Sequence, residues 1–165
     1  MIRRALLLSA CVGALAVAGC ATPGTSKQAG PGEIEAWSGR LSLRIDSQPA
    51  QTFSALFELR GAPQAGELTL TTPIGNTLAQ LHWSPGEALL RNGSETRRYD
   101  SVDALVEAAT GAAIPVAALF GWLAGREDHV PGWRPDLSQI GAGKLQATRE
   151  SPEPRADLRI VFERA

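Results

Sequence analysis

The side chains that most often carry chemistry are few in this sequence. Cys11 and Cys20 are its two cysteines among 165 residues, and both lie in the N-terminal segment. The body of the chain therefore offers no thiol for an internal disulfide, a metal site or a nucleophile. His82 and His129 stand far apart, and neither has a second histidine or cysteine beside it at a metal-ligand spacing.

The hydroxyl and carboxyl groups fit structural roles better than catalytic ones. Ser38 and Ser54 lack the G-x-S-x-G context of a hydrolase nucleophile. Asp100 and Asp103 stand at the start of a predicted helix, where acidic side chains favour the helix dipole. The sequence has no phosphate-binding loop and no dinucleotide glycine pattern. It therefore predicts a protein that is not an enzyme and that uses neither a metal nor a cofactor.

Charge and composition narrow the class of protein further. The chain has 16 basic and 17 acidic residues, and 44% of its residues are apolar, an ordinary share for one globular domain. Arg3 and Arg4 belong to a predicted leader, so the mature chain would carry about three more acidic than basic side chains. This balance argues against a nucleic-acid partner. We expect a monomer.

The N-terminal residues resemble a bacterial lipoprotein signal. The two arginines precede an apolar run over residues 5–17, and the sequence VAGC at positions 17–20 is similar to a lipobox. This predicts a signal peptide over residues 1–19, cleaved before an acylated Cys20. An ordinary signal peptide with a chance cysteine is the alternative. By its resemblance to the sorting signals of such lipoproteins, Ala21 in place of Asp favours release to the outer membrane. The Gly- and Pro-rich remainder of residues 20–33 predicts a flexible tether.

Alternation of apolar and polar residues over 34–165 predicts antiparallel strands in one domain. It is clearest in residues 37–45, where Leu41, Leu43 and Ile45 share one face. Asn92-Gly93 marks a hairpin. Residues 126–143 are expected to be irregular. Further strands are predicted at residues 52–59, 67–72, 77–83, 88–91, 144–149 and 157–163.

Two helices interrupt this series of strands. Asp100 or Ser101 can cap a helix that runs to about Thr110, and a second helix is predicted from Pro115 to Gly125. A sheet with one apolar face must bury it, and these helices are the amphipathic segments available to cover it. The predicted fold class is mainly β with a helical insert (α+β).

Several motifs, in their order and spacing, resemble the LolB family of outer-membrane lipoprotein receptors. They follow the lipobox and tether as WSGRL at residues 37–41, TPIG at 72–75, the helix with Leu105 and Gly111, and IPVAALFGWLAG at 114–125. The resemblance covers residues 34–125 well and is weak from Arg126 onward, where this chain is shorter than the family usually is. That shortness leaves open whether strands are missing.

The resemblance implies both a fold and a function. The fold would be a curved antiparallel sheet, an unclosed barrel, with a helical lid over a hydrophobic cavity. The protein would accept triacylated lipoproteins from a LolA-like periplasmic carrier and insert them into the inner leaflet of the outer membrane. It would be anchored in that membrane by lipid, with its domain facing the periplasm.

An acyl-chain cavity would be lined by the in-phase apolar residues of the strands and helices. Periodicity alone favours the alternative that these residues are an ordinary packed core, and the resemblance favours a cavity. The predicted lining residues are Leu41, Leu43, Phe53, Phe57, Leu68, Leu70, Leu81, Trp83, Leu119 and Trp122.

A predicted turn at Pro73, Ile74 and Gly75 holds the most informative single residue. A large apolar side chain between Pro and Gly has no obvious packing partner. The resemblance implies that Ile74 is exposed and touches the membrane during insertion. The alternative is that Ile74 folds back and caps the core.

Two other functions stay open on the sequence alone. One is a structural or assembly lipoprotein of the envelope whose core is filled and whose outer surface binds a protein. The other is a periplasmic lipoprotein that binds a different lipid in the same cavity. Uptake of a hydrophobic probe would separate the first from a cavity protein, and dependence on a loaded carrier would separate the second from a receptor.

Overall fold

The computed structural model describes residues 34–165, so the predicted leader, Cys20 and the tether lie outside the described residues. Nine strands and two helices follow one another along this part of the chain. The strands are β1 (Glu35–Ile45), β2 (Gln51–Ala62), β3 (Ala65–Thr71), β4 (Thr77–Ser84), β5 (Glu87–Asn92), β6 (Glu95–Tyr99), β7 (Trp133–Asp136), β8 (Lys144–Arg149) and β9 (Ala156–Arg164). The helices are α1 (Val102–Thr110) and α2 (Val116–Leu123).

All nine strands belong to one antiparallel sheet in the order β6-β5-β4-β3-β2-β1-β9-β8-β7. The first six strands form a meander, and the last strand returns to pair with the first, placing Leu41 opposite both Ala55 and Ile160. Strands β6 and β7 remain at the two edges, so the sheet is not closed into a barrel. The predicted strands are therefore confirmed, together with the mainly β fold class.

The sheet curls around helix α2. Phe120 of α2 lies 6.3 Å from Trp83 on β4, and Trp122, two residues later, lies 6.1 Å from Trp133 on β7. Strands β4 and β7 are six steps apart in the sheet, which would separate them by about 29 Å if the sheet were flat. Only a strongly curved sheet brings both strands to one short helix, and this agrees with the predicted unclosed barrel.

Both helices begin where the sequence indicates, and α1 also ends there, whereas α2 ends at Leu123, two residues before the predicted Gly125. The Ser101 side chain caps α1 by accepting a hydrogen bond from the backbone N–H of Ala104 at 3.1 Å. Gly111 ends α1 with φ of 86°, a left-handed conformation that favours glycine. Helix α2 follows Pro115, as proline at a helix start predicts.

The prediction of an irregular segment over residues 126–143 is partly wrong. This segment contains the four-residue strand β7 and a short 3-10 helix, Ile140–Ala142. Pro135 within β7 hid the strand, because proline interrupts a sheet ladder and is tolerated mainly at an edge. Strand β7 does lie at the edge of the sheet. The region after Arg126 thus supplies three strands in place of the two predicted there.

One continuous cluster of buried side chains fills the space between the sheet and the helices. Its largest fully buried members include Trp37, Trp122 and Phe120. The opposite face of each strand carries mainly polar and charged side chains. Within residues 34–165 the structure has no helix whose length and apolar character would let it cross a membrane.

Candidate functional site

The concave face is the buried side of the sheet together with the helices packed against it. Of the ten residues predicted to line an acyl-chain cavity, eight are buried there, and Phe53 and Leu119 are partly buried against the same cluster. Leu43, Leu70 and Trp122 have no exposed surface. The strand phase read from the sequence therefore holds for the whole set, and the helices pack directly on it. The acyl-chain role of these residues stays a prediction.

Helix α2 occupies the centre of the concave face. Its Phe120 ring meets Trp37 edge-on, with centroids 5.4 Å apart, and meets Trp83 in the same way on the other side. Edge-to-face aromatic pairs add to the free energy gained by burial alone. The indole Nε1 of Trp122 donates to the backbone carbonyl of Asp128 at 2.8 Å. The helix is thus a plug whose side chains fill the space enclosed by the curved sheet.

Polar contacts hold both ends of this plug. At its start, the backbone N–H of Val116 donates to the Asp103 carboxylate on α1 at 3.2 Å. At its end, the backbone N–H of Arg126 donates to the Gly121 carbonyl at 2.8 Å, and an added Cβ at Gly121 would overlap the Asp128 carboxylate. Asp103 therefore caps α2, which is a structural role and not that of an acid in a catalytic pair.

The turn between β3 and β4 projects an apolar side chain into solvent. The backbone N–H of Gly75 donates to the carbonyl of Thr72 at 2.9 Å, which closes a β-turn around Pro73 and Ile74. Thr72 also accepts a hydrogen bond from the N–H of Asn76 through its hydroxyl. Gly75 has φ of 90°, which explains the glycine. Ile74 is 85% exposed, so it does not fold back onto the core.

The ionisable groups form no catalytic arrangement in the described part of the chain. His82 and His129 are exposed on separate segments. No three His, Cys, Asp or Glu side chains of residues 34–165 gather in a way that could hold a metal ion. The hydroxyl and backbone N–H of Ser138 lower the pKa of Asp136, and Glu95 raises the pKa of Arg97. Both shifted groups are exposed to solvent.

The sequence reading missed several residues of the concave face. Trp37 and Trp133 were not assigned to it, although their rings enclose α2 together with Trp83. Arg149 was also missed, and it is a buried charged residue on this face, 8% exposed. The alternation of β8 could have located it, since Arg149 follows Leu145 and Ala147 in phase.

An unclosed antiparallel sheet, an apolar concave face under a helical plug and an exposed apolar turn define an open-barrel protein with an apolar interior. The family model described as outer membrane lipoprotein LolB matches residues 35–156. The chain therefore belongs to the LolB family of outer-membrane lipoproteins. The match continues well past residue 125, where the recognisable motifs end.

Individual relatives named outer-membrane lipoprotein LolB agree with this assignment. The protein of Chromobacterium violaceum is 32% identical over 130 residues, covering 76% of this chain and 69% of the relative. That of Bordetella petrii is 31% identical over 148 residues, covering 74% of each chain. That of Halorhodospira halophila is 31% identical over 132 residues, covering 73% of this chain and 64% of the relative.

Proposed function

We propose that this protein accepts triacylated lipoproteins from a periplasmic carrier and inserts them into the inner leaflet of the outer membrane. The observation that carries the proposal is the continuous apolar concave face under two helices, in a chain that belongs to the LolB family. The protein would be held at the outer membrane by lipid attached to Cys20, with residues 21–33 as the tether. The domain would face the periplasm and act as a monomer.

Cargo uptake requires α2 to make room on the concave face. Phe120 and Trp122 occupy the space between the strands, so acyl chains would replace their contacts with Trp37, Trp83 and Trp133. Burying each methylene contributes about 0.8 kcal/mol, and exchanging one apolar partner for another costs little of that free energy. Chains can therefore move from the carrier to this face without nucleotide hydrolysis, a metal ion or a covalent step. We accordingly propose that the protein is not an enzyme.

Release requires contact with the membrane, and the turn that carries Ile74 is suited to it. The closed β-turn holds the side chain away from the domain, so its apolar surface is free to enter the lipid. The bilayer then takes up the acyl chains, because it buries more of their surface than the concave face does. Pro73, Ile74 and Gly75 thus form the proposed membrane-insertion loop.

A transfer experiment tests this function. The chain from residue 20 onward, carrying Cys20→Ala so that it has no lipid anchor, is mixed with a carrier loaded with a fluorescent triacylated lipoprotein. We expect the label to move to this protein and then to liposomes added afterwards. A carrier that keeps its cargo, together with no uptake of a fluorescent hydrophobic probe, would show that the concave face is only a core. Probe uptake without cargo transfer would indicate a binder of another lipid.

A further inference from the structure

Arg149 is a charged residue among the apolar side chains of the concave face. It ends β8, whose buried positions Leu145 and Ala147 precede it on the same side. In the sheet it stands between Trp133 on β7 and Ala156 on β9. The burial of its side chain, at 8% exposure, is unusual because arginine is rarely buried without a partner.

The guanidinium of Arg149 is only partly satisfied. Nη2 donates to the carbonyl of Pro154 at 2.8 Å, which ties the side chain to the loop between β8 and β9. The Nε atom is buried and has no hydrogen-bond partner among the described residues. None of the ion pairs found within residues 34–165 includes Arg149. A buried cation with an unused donor requires an explanation, because such groups are costly to the fold.

Arg149 lies next to residues that the proposed cargo would contact. Trp133, its neighbour in the sheet, packs against Trp122 of the helical plug. Displacement of α2 would therefore uncover the concave face beside this arginine. An open groove of about 500 Å³ also reaches Trp133 from outside, between the segment 127–132 and the residues that follow Arg149. The groove is lined by Trp133 and Glu150, which adjoin Arg149 in the sheet and in the chain, while the guanidinium itself lies on the buried side of β8.

We propose that Arg149 recognises an ester carbonyl of the diacylglyceryl group, donating to it through Nε while the acyl chains occupy the concave face. The inference deepens the proposed function, on which it rests. Acyl chains alone give no fixed depth of binding, since apolar contacts are not directional. A single donor at the boundary of the apolar face would set how deep the glyceryl group sits and would favour diacylglyceryl cargo over simple hydrocarbon.

The charges around the groove favour a neutral acceptor over an anion. Glu127, Asp128 and Glu150 line the groove. Arg134 also lines it, but its Nη2 atom is already paired with Oε2 of Glu150 at 3.0 Å. A phosphate or carboxylate entering through this groove would meet these carboxylates, which repel it. An ester carbonyl accepts a hydrogen bond without bringing a negative charge, so it fits both the donor and its surroundings.

The test compares two triacylated lipopeptides that differ only in the glyceryl linkages, which are esters in one and ethers in the other. The protein is the chain from residue 20 with Cys20→Ala, alone or with Arg149→Met or Arg149→Lys. Arg159→Met serves as the matched control, because Arg159 is an exposed arginine on the neighbouring strand β9. Affinity is measured by competition with a fluorescent lipopeptide, and stability by urea unfolding.

We expect the unmutated chain to prefer the ester by roughly ten- to a hundredfold, as a hydrogen bond from a charged donor contributes. Arg149→Met should abolish this preference without lowering stability, since it removes a poorly paired buried charge. Arg149→Lys should keep part of the preference, and Arg159→Met all of it. Ester-linked phosphatidylethanolamine that competes better than its ether analogue would extend the site to phospholipid, whereas discrimination confined to the lipopeptides would restrict it to cargo.

Three other results would overturn the proposal. Equal binding of ester and ether lipopeptides by the unmutated chain would contradict the proposed hydrogen bond to the ester carbonyl and leave the proposed function intact. Binding of neither lipopeptide would contradict the proposed function itself. A less stable Arg149→Met variant that still prefers the ester would assign Arg149 only to holding the β8–β9 loop through Pro154.

Discussion

Replacement of Ile74 tests the proposed insertion loop most directly. The side chain is 85% exposed, so nearly all of its apolar surface is available to a bilayer. Ile74→Ala removes about three carbons, each worth about 0.8 kcal/mol on burial, and so weakens membrane contact by about 2 kcal/mol, or roughly 30-fold. Ile74→Glu should weaken it further, because a hydrated carboxylate does not enter hydrocarbon.

Because Ile74 is so exposed, we expect its replacement to leave the free energy of unfolding nearly unchanged. Surface substitutions away from caps and buried contacts usually alter the free energy of unfolding by within about 0.5 kcal/mol. The hydrogen bonds of the turn involve the backbone of Gly75 and the hydroxyl of Thr72, and neither depends on the Ile74 side chain. Cargo binding on the concave face should likewise stay intact.

The assay follows a fluorescent triacylated lipoprotein from a loaded carrier to this protein and then to liposomes. Ile74→Ala and Ile74→Glu should accept the label at the normal rate and release it to liposomes slowly. Val161→Ala is the matched control, since Val161 is 56% exposed but lies on the outer face of β9. Normal release by Ile74→Glu, or an equal defect in Val161→Ala, would refute the membrane role of the turn.

Three further predictions concern the plug, the anchor and pH. Phe120→Ala should lower the free energy of unfolding by about 3–5 kcal/mol, measured in urea, because the ring is fully buried between two tryptophans, and a variant of unchanged stability would contradict this packing. Cys20→Ser should release the protein from the outer-membrane fraction on cell fractionation, and continued membrane attachment would rule out Cys20 as the acylated residue. Ser138 lowers the pKa of Asp136 in the folded state, so this carboxylate stabilises the fold above its unfolded pKa, and the contribution disappears as pH falls through the folded value. In urea, Asp136→Asn should therefore have a lower free energy of unfolding than the unmutated chain at neutral pH, and the same free energy of unfolding in strong acid. A difference between the two that grows as the pH falls would contradict the role given to Asp136.

Much of the candidate site could be predicted because its signals are local. The ten proposed lining residues were found by alternation along single strands and helices, and all lie on the concave face, buried or partly buried. The exposure of Ile74 was implied by the family resemblance, whereas its place between Pro73 and Gly75 left open whether the side chain folds back onto the core. Arg149 shows the limit of this reasoning, since a charged residue in phase with apolar ones is easily read as the end of a pattern.

Features that depend on distant pairings could not be predicted in this way. Strand β7 carries Pro135 and only four residues, and it forms because β8 offers it an edge to pair with. The meeting of Trp83 and Trp133 around one helix depends on curvature accumulated over seven strands. No pattern within a few residues of the sequence predicts that curvature.

The sequence by itself determined most of the strands, the two helices with the cap of α1 at Ser101 and its end at Gly111, and the family to which the chain belongs. These follow from side-chain periodicity, capping and motif spacing, which act over a few residues. The tertiary structure alone decided that α2 fills the concave face and that a guanidinium is buried beside it. Both result from the sheet closing around the helix, because burial is set by residues far apart in the chain, which are brought together only when the sheet forms.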